Sequence, residues 1–387
     1  MTDFALGEAD RMVRAMAHDF AAKEIRPVAA DFDDREEFPW EVVKKGAALG
    51  LAGLPLGGHL GEEGITPLLM AEELSWGCAG TAIAMTANAL AATALSHIAT
   101  PEQAQRFLKD CMPQDGELRL GALALTEPDS GSDAGAMRTT AVRDGDEYVL
   151  NGAKRFITSG GIADLTVVFA TENPGSGFGG VSAFAVPKVT PGLSETKVWK
   201  KMGIRASHTA DIAFDDMRLP ADHRLGPPDA DFRSGGAGAL GTLTATRPWI
   251  GALAVGVGRA AFEFSADYAR ERQQFGKPII ANEGVSFMLA DMDIALDAAR
   301  LLSWRAGWMV SRGEPMTLEE ASKAKAFASD AAMKITIDAV QVCGGVAFTR
   351  ELPLEKWMRD AKIFQIFEGT NQIQRLVIGR NIAGRAF

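Results

Sequence analysis

One carboxylate near the C-terminus stands alone among apolar residues. Glu368 follows the apolar-rich run 363–367 and directly precedes Gly369. Apolar surroundings disfavour the charged form of a carboxyl group, so its pKa moves towards the range useful for a general base. This pattern has two interpretations. Glu368 is either a general base or a solvent-exposed residue at a helix C-terminus that ends at Gly369.

The composition is that of an ordinary globular protein. Of the 387 residues 47% are hydrophobic and 23% are charged, and the net charge of −10 argues against nucleic acid as the main partner. The three cysteines form no CxxC pair, which suits a reduced compartment and offers no metal framework. The N-terminal residues lack the pattern of a targeting signal, and no apolar run approaches the ~18–20 residues of a membrane helix. We therefore expect a cytoplasmic protein that binds neither a membrane nor nucleic acid.

Hydrophobic periodicity divides the chain into three parts. Residues 1–117 carry apolar residues at three- and four-residue spacing and predict an N-terminal α-helical domain. Residues 118–233 contain short β-type runs separated by turn signals such as Asn151-Gly152, without intervening helices. This pattern predicts a middle antiparallel β-barrel or sandwich. Residues 234–387 return to helical periodicity and predict a C-terminal helical domain, which gives an α+β fold in three parts.

Several competing chemistries lack the residues that they need. The run 256–261 matches the GxGxxA dinucleotide fingerprint, but it lies inside a predicted helix instead of following a strand. No histidine stands three residues after a glutamate, as a di-iron bundle requires, and no HExxH or CxxC pattern indicates a metal site. No GxSxG pattern precedes a suitable order of His and Asp, which disfavours a hydrolase.

Three other segments could bind an anionic or planar ligand. The run 126–132 follows a predicted strand and could present hydroxyl and backbone N–H groups to an anion or a heterocycle. Phe156 and Thr158 place an aromatic ring near a hydroxyl, which could flank a planar ring. The run 270–276 could clamp a phosphate through its arginines. Each segment alone is more often a turn, a strand end or a solvated helix C-terminus.

Taken together, these motifs resemble those of the acyl-CoA dehydrogenase family of flavoproteins. The resemblance covers nearly the whole chain, in the order of the family. The motifs that carry it are LALTEPDSGSD at 123–133, KRFIT at 154–158, MGIRAS at 202–207, RERQQFGK at 270–277, QVCGG at 341–345 and MRDAKIFQIFEGT at 358–370. The resemblance implies a helical N-terminal domain, a middle antiparallel β domain and a C-terminal four-helix bundle.

The resemblance implies that the cofactor is FAD. Phe156 matches an aromatic residue that shields one face of the flavin, where the family usually has Trp. The segments 272–275 and 341–345 match parts that reach the FAD of a neighbouring subunit, which implies a homo-oligomer, either a tetramer or a dimer. The residues that the resemblance assigns to the cofactor are Leu123, Leu125, Thr126, Ser132, Phe156, Ile157, Thr158, Arg272, Gln274, Phe275, Gln341, Val342, Gly344, Gly345, Thr370 and Gln372.

Glu368 matches the catalytic base of the family, although a tyrosine usually precedes the base where this chain has Phe367. A minority of the family takes its base from a helix position that reads Thr246 here. The segment 56–63 also departs from the Tyr-Gly-Gly type of segment found in many relatives. The residues that the resemblance assigns to the substrate are Ser132, Thr244, Arg247, Phe367 and Gly369.

The activity implied by the resemblance is oxidation of an acyl-CoA thioester to the trans-2-enoyl-CoA. Glu368 removes the α-proton, and the β-hydride goes to flavin N5. Two hydrogen bonds to the thioester carbonyl, from a ribityl hydroxyl and from the backbone N–H of Glu368, stabilise the enolate-like charge. The implied electron acceptor is an electron-transfer flavoprotein. Alternatives with the same fold are a flavin oxidase, a flavin monooxygenase and a dehydrogenase of an acyl-carrier-protein thioester; a non-catalytic scaffold protein is an alternative of a different class.

Overall fold

The computed structural model describes residues 6–52, 64–114, 116–227, 233–311 and 316–384. The segment 56–63, at which the sequence departs from the family pattern, lies outside the described residues.

Helices form the first and last parts of the chain, as the periodicity predicts. The helices of the first part are α1 (Glu8–Phe20), α2 (Ala29–Arg35), α3 (Trp40–Ala48), α4 (Thr66–Gly77), α5 (Ala79–Thr86), α6 (Asn88–Ile98) and α7 (Pro101–Cys111). The helices of the last part are α8 (Arg233–Glu271), α9 (Glu283–Ser311), α10 (Leu318–Cys343), α11 (Leu354–Ala361) and α12 (Asn371–Ile382).

Local sequence sets the start of α7. Thr100 accepts a hydrogen bond from the backbone N–H of Gln103, and the Gln103 side chain accepts one from the backbone N–H of Thr100. Pro101 occupies the first helical position, where its missing N–H leaves no hydrogen bond unmade. The helix therefore begins where its first free N–H groups find side-chain partners.

The middle part folds into a seven-stranded sheet. Its strands are β1 (Gly121–Ala124), β2 (Thr140–Asp144), β3 (Glu147–Thr158), β4 (Leu165–Thr171), β5 (Val181–Pro187), β6 (Leu193–Val198) and β7 (Thr209–Pro220). The strand order is β1-β4-β2-β3-β7-β6. Strand β5 lies outside this order and pairs with β4. The pairs are antiparallel except that β4 runs parallel to β1 and β2, so the sheet is mixed. The predicted α+β architecture in three parts is confirmed.

Strand β3 corrects the sequence-based prediction of a turn at Asn151-Gly152. The strand continues through both residues, with a bulge where its pairing to β7 shifts between Leu150 and Gly152. Gly152 has a φ of 143°, and a Cβ there would lie 2.6 Å from the hydroxyl oxygen of Thr139. The Asn151 side chain hydrogen-bonds Asp216 on β7. The glycine therefore marks a close approach inside the sheet instead of a hairpin.

The GxGxxA run 256–261 lies within α8, in the helical context that the sequence predicts. A Cβ at Gly256 would lie only 2.2 Å from the carbonyl oxygen of Glu72 on α4. The run therefore allows two helices to approach backbone to backbone, and it does not follow a strand as a dinucleotide fingerprint does.

Buried charges tie α4 to the helices of the last part. Glu72 and Glu73 both accept hydrogen bonds from Arg259 on α8, and Glu72 accepts further ones from Arg300 on α9. Burial raises the pKa of Glu73, but the hydrogen bonds and charge of Arg259 outweigh it and lower this pKa to about 2. A buried charge that loses its partner is strongly destabilising, so the network specifies one relative placement of these helices.

The middle part docks on α11, the helix that leads towards Glu368. The backbone N–H of Ile204 donates to the buried carboxylate of Asp360 at 2.5 Å, and Lys356 donates to the other carboxylate oxygen at 2.5 Å. A Cβ at Gly203 would lie 2.3 Å from the carbonyl oxygen of Arg359. Two of the sequence motifs, 202–207 and 358–370, therefore meet directly in the fold.

Two stretches of the described chain, Ala79–Ile98 and Leu318–Phe348, are long and apolar enough to cross a membrane by length and composition. This finding corrects the expectation that no apolar run approaches that length. In the first stretch 89% of the most apolar window is buried inside the protein, as in a core helix.

Gly203→Ala places a methyl group against the backbone of α11. We expect the free energy of unfolding to fall by ~1–3 kcal/mol, as at other overpacked sites, and the thermal midpoint in circular dichroism to fall with it. Gly284→Ala on α9 is the matched control, because a Cβ there would meet no described atom within 4 Å beyond the adjoining backbone of its own helix. An unchanged midpoint for Gly203→Ala would contradict the close docking.

Candidate active site

Glu368 lies at a sharp backbone turn between α11 and α12. A 3-10 turn, Lys362–Gln365, follows α11, and then Glu368 and Gly369 both adopt left-handed backbone conformations, with φ of 55° and 87°. The carboxylate does not extend freely into solvent, because its Oε2 accepts a hydrogen bond from the Thr246 hydroxyl on α8 at 2.8 Å. The alternative interpretation of Glu368 as an exposed helix terminus therefore does not describe this geometry.

Two buried side chains hold the backbone of this turn. The Gln374 amide donates to the carbonyl oxygens of Glu368 and Gly369 at 3.1 and 2.9 Å. The Lys325 ammonium on α10 donates to the Gly369 carbonyl at 2.8 Å and to the Asn371 side chain at 2.9 Å. A Cβ at position 369 would lie 2.7 Å from the Gln374 amide nitrogen, so this position requires glycine both for its φ and for space.

Three ionisable groups set the charge of the site. Burial raises the pKa of Glu368, whereas the hydrogen bond from Thr246 and the charges of Arg247 and Lys325 act in the opposite direction. Burial lowers the pKa of Lys325 to about 7, although Glu368 favours its charged form. Burial also lowers the pKa of Arg247 to about 10. The Glu368 carboxyl group therefore lies in a low-dielectric site in which two cations oppose the effect of burial.

The predicted substrate-side residues of the last part gather around Glu368. Arg247 is buried, donates from Nη1 to Ser322 at 3.1 Å and has an Nε without a partner among the described residues. Phe367 is partly buried and packs edge-on against Phe364 with ring centroids 5.6 Å apart. Thr244 lies one turn earlier on α8, where its hydroxyl donates to the carbonyl of Leu240. These residues can line one side of a substrate beside the base.

A second group of predicted residues meets at the ends of β1 and β3. The backbone N–H of Arg155 donates to the Thr126 carbonyl at 2.8 Å, and the buried Lys154 ammonium donates to the Leu125 carbonyl and to Glu127. Leu123, Leu125, Thr126 and Thr158 are partly buried, and Phe156 is 54% exposed.

Three further residues assigned to the cofactor differ in exposure: two have buried side chains, and one is exposed. Ile157 and Val342 pack in the hydrophobic cores of the middle and last parts. Only their backbones can contact a ligand. Ser132 is exposed on the loop after β1.

A third group of predicted residues lies on the surface of the single chain. Arg272, Gln274 and Phe275 belong to a small hairpin formed by β8 (Gln273–Gln274) and β9 (Lys277–Pro278), and Phe275 is 92% exposed. Gln341, Gly344 and Gly345 are exposed at the end of α10. Within the described residues no hydrogen bond or ion pair joins this group to Glu368 or to the strand ends.

Two further predicted residues start α12. The Thr370 hydroxyl accepts from the backbone N–H of Ile373 at 3.3 Å, so it caps the helix. Gln372 is exposed.

Sequence reasoning missed Lys325 and Gln374. Ser322, Lys325 and Ser329 recur at helical spacing within the Ala-rich face of α10, and this polar stripe on a buried face was the available signal. Gln374 had no comparable signal, because its role follows from the path of the chain around Gly369. Thr246 was identified only as a position without glutamate, whereas in the structure its hydroxyl donates to the Glu368 carboxylate.

Family models match nearly the whole chain in three pieces. The model described as "Acyl-CoA dehydrogenase, N-terminal domain" matches residues 7–115, the "middle domain" matches 122–217 and the "C-terminal domain" matches 233–383. These matches agree with the helix–sheet–helix order of the fold.

Individual proteins are similar over the same length. The short-chain specific acyl-CoA dehydrogenase of Clostridium acetobutylicum is 40% identical over 384 residues, which cover 98% of this chain and 99% of that protein. The structure of butyryl-CoA dehydrogenase from Megasphaera elsdenii matches with a TM-score of 0.93 and 36% identity, covering 99% of this chain and 100% of that chain. A chain in a structure described as the electron transferring flavoprotein of Acidaminococcus fermentans matches with a TM-score of 0.92 and 39% identity, covering 98% and 99%. The protein belongs to the acyl-CoA dehydrogenase family.

Proposed function

We propose that this protein is an FAD-dependent dehydrogenase that converts a short-chain acyl-CoA thioester into its trans-2-enoyl thioester. Glu368 is the base that removes the α-proton. The observation that carries the proposal is a single carboxylate held at a left-handed turn, bonded to Thr246 and facing Arg247 and Lys325.

The residues around Glu368 can stabilise the charge that develops on the substrate. The backbone N–H of Glu368 makes no hydrogen bond with the described part of the chain, whereas its carbonyl is engaged by Gln374. This free N–H can donate to the thioester carbonyl as the α-proton leaves, and such a donor stabilises an enolate-like oxygen. Arg247 and Lys325 favour the ionised form of the carboxylate and so oppose the effect of burial on its pKa.

The ends of β1 and β3 fit a flavin. The partly buried hydroxyls of Thr126 and Thr158 make no hydrogen bond with another described residue, so they are available to the polar edge of a ring. Phe156 exposes an aromatic face beside them. Leu125 and Thr126 would hold the ring edge, and Phe156 would pack on its face. When bound, FAD supplies the acceptor for the β-hydride.

The similarity to a short-chain specific dehydrogenase and to a butyryl-CoA dehydrogenase supports a short acyl chain. The similarity to a chain described with an electron transferring flavoprotein supports such a flavoprotein as the electron acceptor. The cytoplasmic location that the sequence suggests stays a prediction.

Exposed apolar residues support a homo-oligomer, and we propose a tetramer. Phe287, Ile294 and Leu301 lie seven residues apart along α9, and all three are exposed. Residues at this spacing share one face of a helix, and an exposed apolar face of this kind is typical of an association surface. In such an assembly the exposed hairpin around Phe275 would reach the cofactor of a neighbouring copy.

Glu368→Gln tests the assignment of the base. The variant should remain yellow and bind butyryl-CoA, but the flavin should no longer bleach under anaerobic conditions, because an amide cannot take the α-proton. We expect the bleaching rate to fall by at least ~10²–10⁴-fold, the usual contribution of a general base. Glu351→Gln, at an exposed position, is the control.

Two results would contradict this part of the proposal. Normal bleaching of Glu368→Gln would exclude Glu368 as the base. If the wild-type protein bleached no faster with butyryl-CoA than with palmitoyl-CoA, the short chain would be wrong.

Lys325→Met removes a cation that lowers the pKa of Glu368. That pKa, already raised by burial, should rise further, and a base acts only when it is ionised. The acid limb of the plot of bleaching rate against pH should therefore move to higher pH. Lys334→Met is the control on the same helix, since Lys334 is exposed and pairs with Asp338. An acid limb that stays in place or moves to lower pH would argue against electrostatic support from Lys325.

Arg272→Ala tests the contribution of the hairpin to cofactor binding. We expect the FAD retained per chain after gel filtration to fall, with affinity weakened about tenfold for a lost charge-assisted hydrogen bond. Arg218→Ala is the control, because Arg218 is an exposed arginine on β7 that pairs with Asp144 and Glu147. Equal flavin content in the wild type and both variants would count against a role for this hairpin.

A further inference from the structure

A group of side chains beside the proposed flavin site has no role assigned so far. Asp211 on β7 is buried and faces a bulge in β3, where the pairing of the two strands shifts between Lys154 and Ile157. Phe156 lies in this bulge with a left-handed φ of 59°. A phenylalanine rarely adopts this conformation, so the surrounding structure must hold it there.

Asp211 accepts hydrogen bonds from three donors around the bulge. Its Oδ1 accepts from the backbone N–H of Phe156 at 3.1 Å and from the indole N–H of Trp199 at 2.6 Å. Its Oδ2 accepts from the Arg155 side chain at 3.3 Å. Bonds to an ionised acceptor are stronger than bonds between neutral groups. We call Asp211 and Trp199 together the Asp211 clamp.

Trp199 also supports the ring of Phe156 directly. The two ring centroids are 4.9 Å apart with an interplanar angle of 48°, a favourable tilted arrangement of aromatic rings. The Lys197 ammonium lies 3.4 Å from the centroid of the Trp199 ring. The backbone N–H of Trp199 donates to the Thr209 carbonyl at 2.9 Å. The indole thus contacts Asp211, Lys197 and Phe156, whereas 54% of Phe156 remains exposed.

We propose that Trp199 is a positioning residue that, through Asp211, fixes the Phe156 ring at the angle at which it packs on the flavin. This inference rests on the proposed function, because it takes the flavin as the ligand of the open face of Phe156. Trp199 need not contact the flavin for this role. The indole acts by sharing one carboxylate oxygen with the backbone of Phe156 and by buttressing its ring.

The test is Trp199→Phe, which keeps an aromatic ring and removes the N–H donor. In the purified holoprotein we expect FAD to dissociate about tenfold faster, the effect of one lost hydrogen bond to a charged group. We also expect the visible circular dichroism of the bound flavin to change, because that signal depends on how the neighbouring ring is placed. Trp199→Ala, which also removes the ring contact, should change both measurements at least as much.

The matched control is Trp40→Phe. Trp40 is also partly exposed and also lies tilted against a phenylalanine, Phe38, with centroids 4.5 Å apart. It belongs to α3, and within the described residues no hydrogen bond or ring contact joins it to Phe156 or Asp211. This variant should keep the dissociation rate and the flavin signal of the wild type. Far-ultraviolet melting of all variants separates an effect on the flavin from a general loss of stability.

The proposal is overturned if Trp199→Phe and Trp199→Ala both release FAD at the wild-type rate with an unchanged flavin signal. It is also overturned if Phe156→Ala changes neither measurement, because Phe156 would then not contact the flavin. Failure of the proposed function has a different signature. In that case the wild-type protein itself would carry no flavin, or its flavin would not bleach with an acyl-CoA.

Discussion

The position of the Glu368 carboxylate depends on two successive left-handed residues, Glu368 and Gly369. A left-handed conformation costs a residue other than glycine ~1–2 kcal/mol, so the turn persists only because other groups hold it. Gln374 and Lys325 do so by donating to the carbonyl oxygens of the turn. This turn leaves the N–H of Glu368 without a partner among the described residues and places its carboxylate at Thr246. The proposed base and the proposed oxyanion donor are therefore two consequences of one backbone conformation.

Contacts elsewhere in the fold fix the relative positions of the helices around this turn. Thr246 and Arg247 come from α8, Lys325 comes from α10, and the turn itself follows α11. The helix α8 is bound to α4 by the buried charges of Glu72, Glu73 and Arg259, and α11 is bound to the middle part through Asp360. Both connections bury charged groups. Removing one partner of either connection would leave an unpaired buried charge, which is strongly destabilising. Rigid placement of the helices thus supports the placement of the base.

The sequence was sufficient for features that depend on local pattern and insufficient for those that depend on contacts between distant segments. Periodicity predicted the helix–sheet–helix order, and an isolated carboxylate predicted the base candidate. The signal Asn151-Gly152 predicted a turn, but pairing with β7 and the space beside Thr139 make it a bulge within β3. Strand β6 was missed because it is a polar edge strand, with exposed residues along most of its length and no alternation. The roles of Lys325 and of the Asp211 clamp could not be predicted, because their partners are separated in sequence and meet only in the fold.

The exposed hairpin around Phe275 has a consequence for how the protein responds to its own concentration. In the proposed assembly each cofactor is bound by residues of two copies, so free subunits would bind FAD more weakly than assembled ones. By mass action, FAD binding and subunit association then favour each other. Added FAD would stabilise the oligomer, and dilution would release FAD. The active fraction at a given FAD level would therefore depend on protein concentration, although each chain carries its own base.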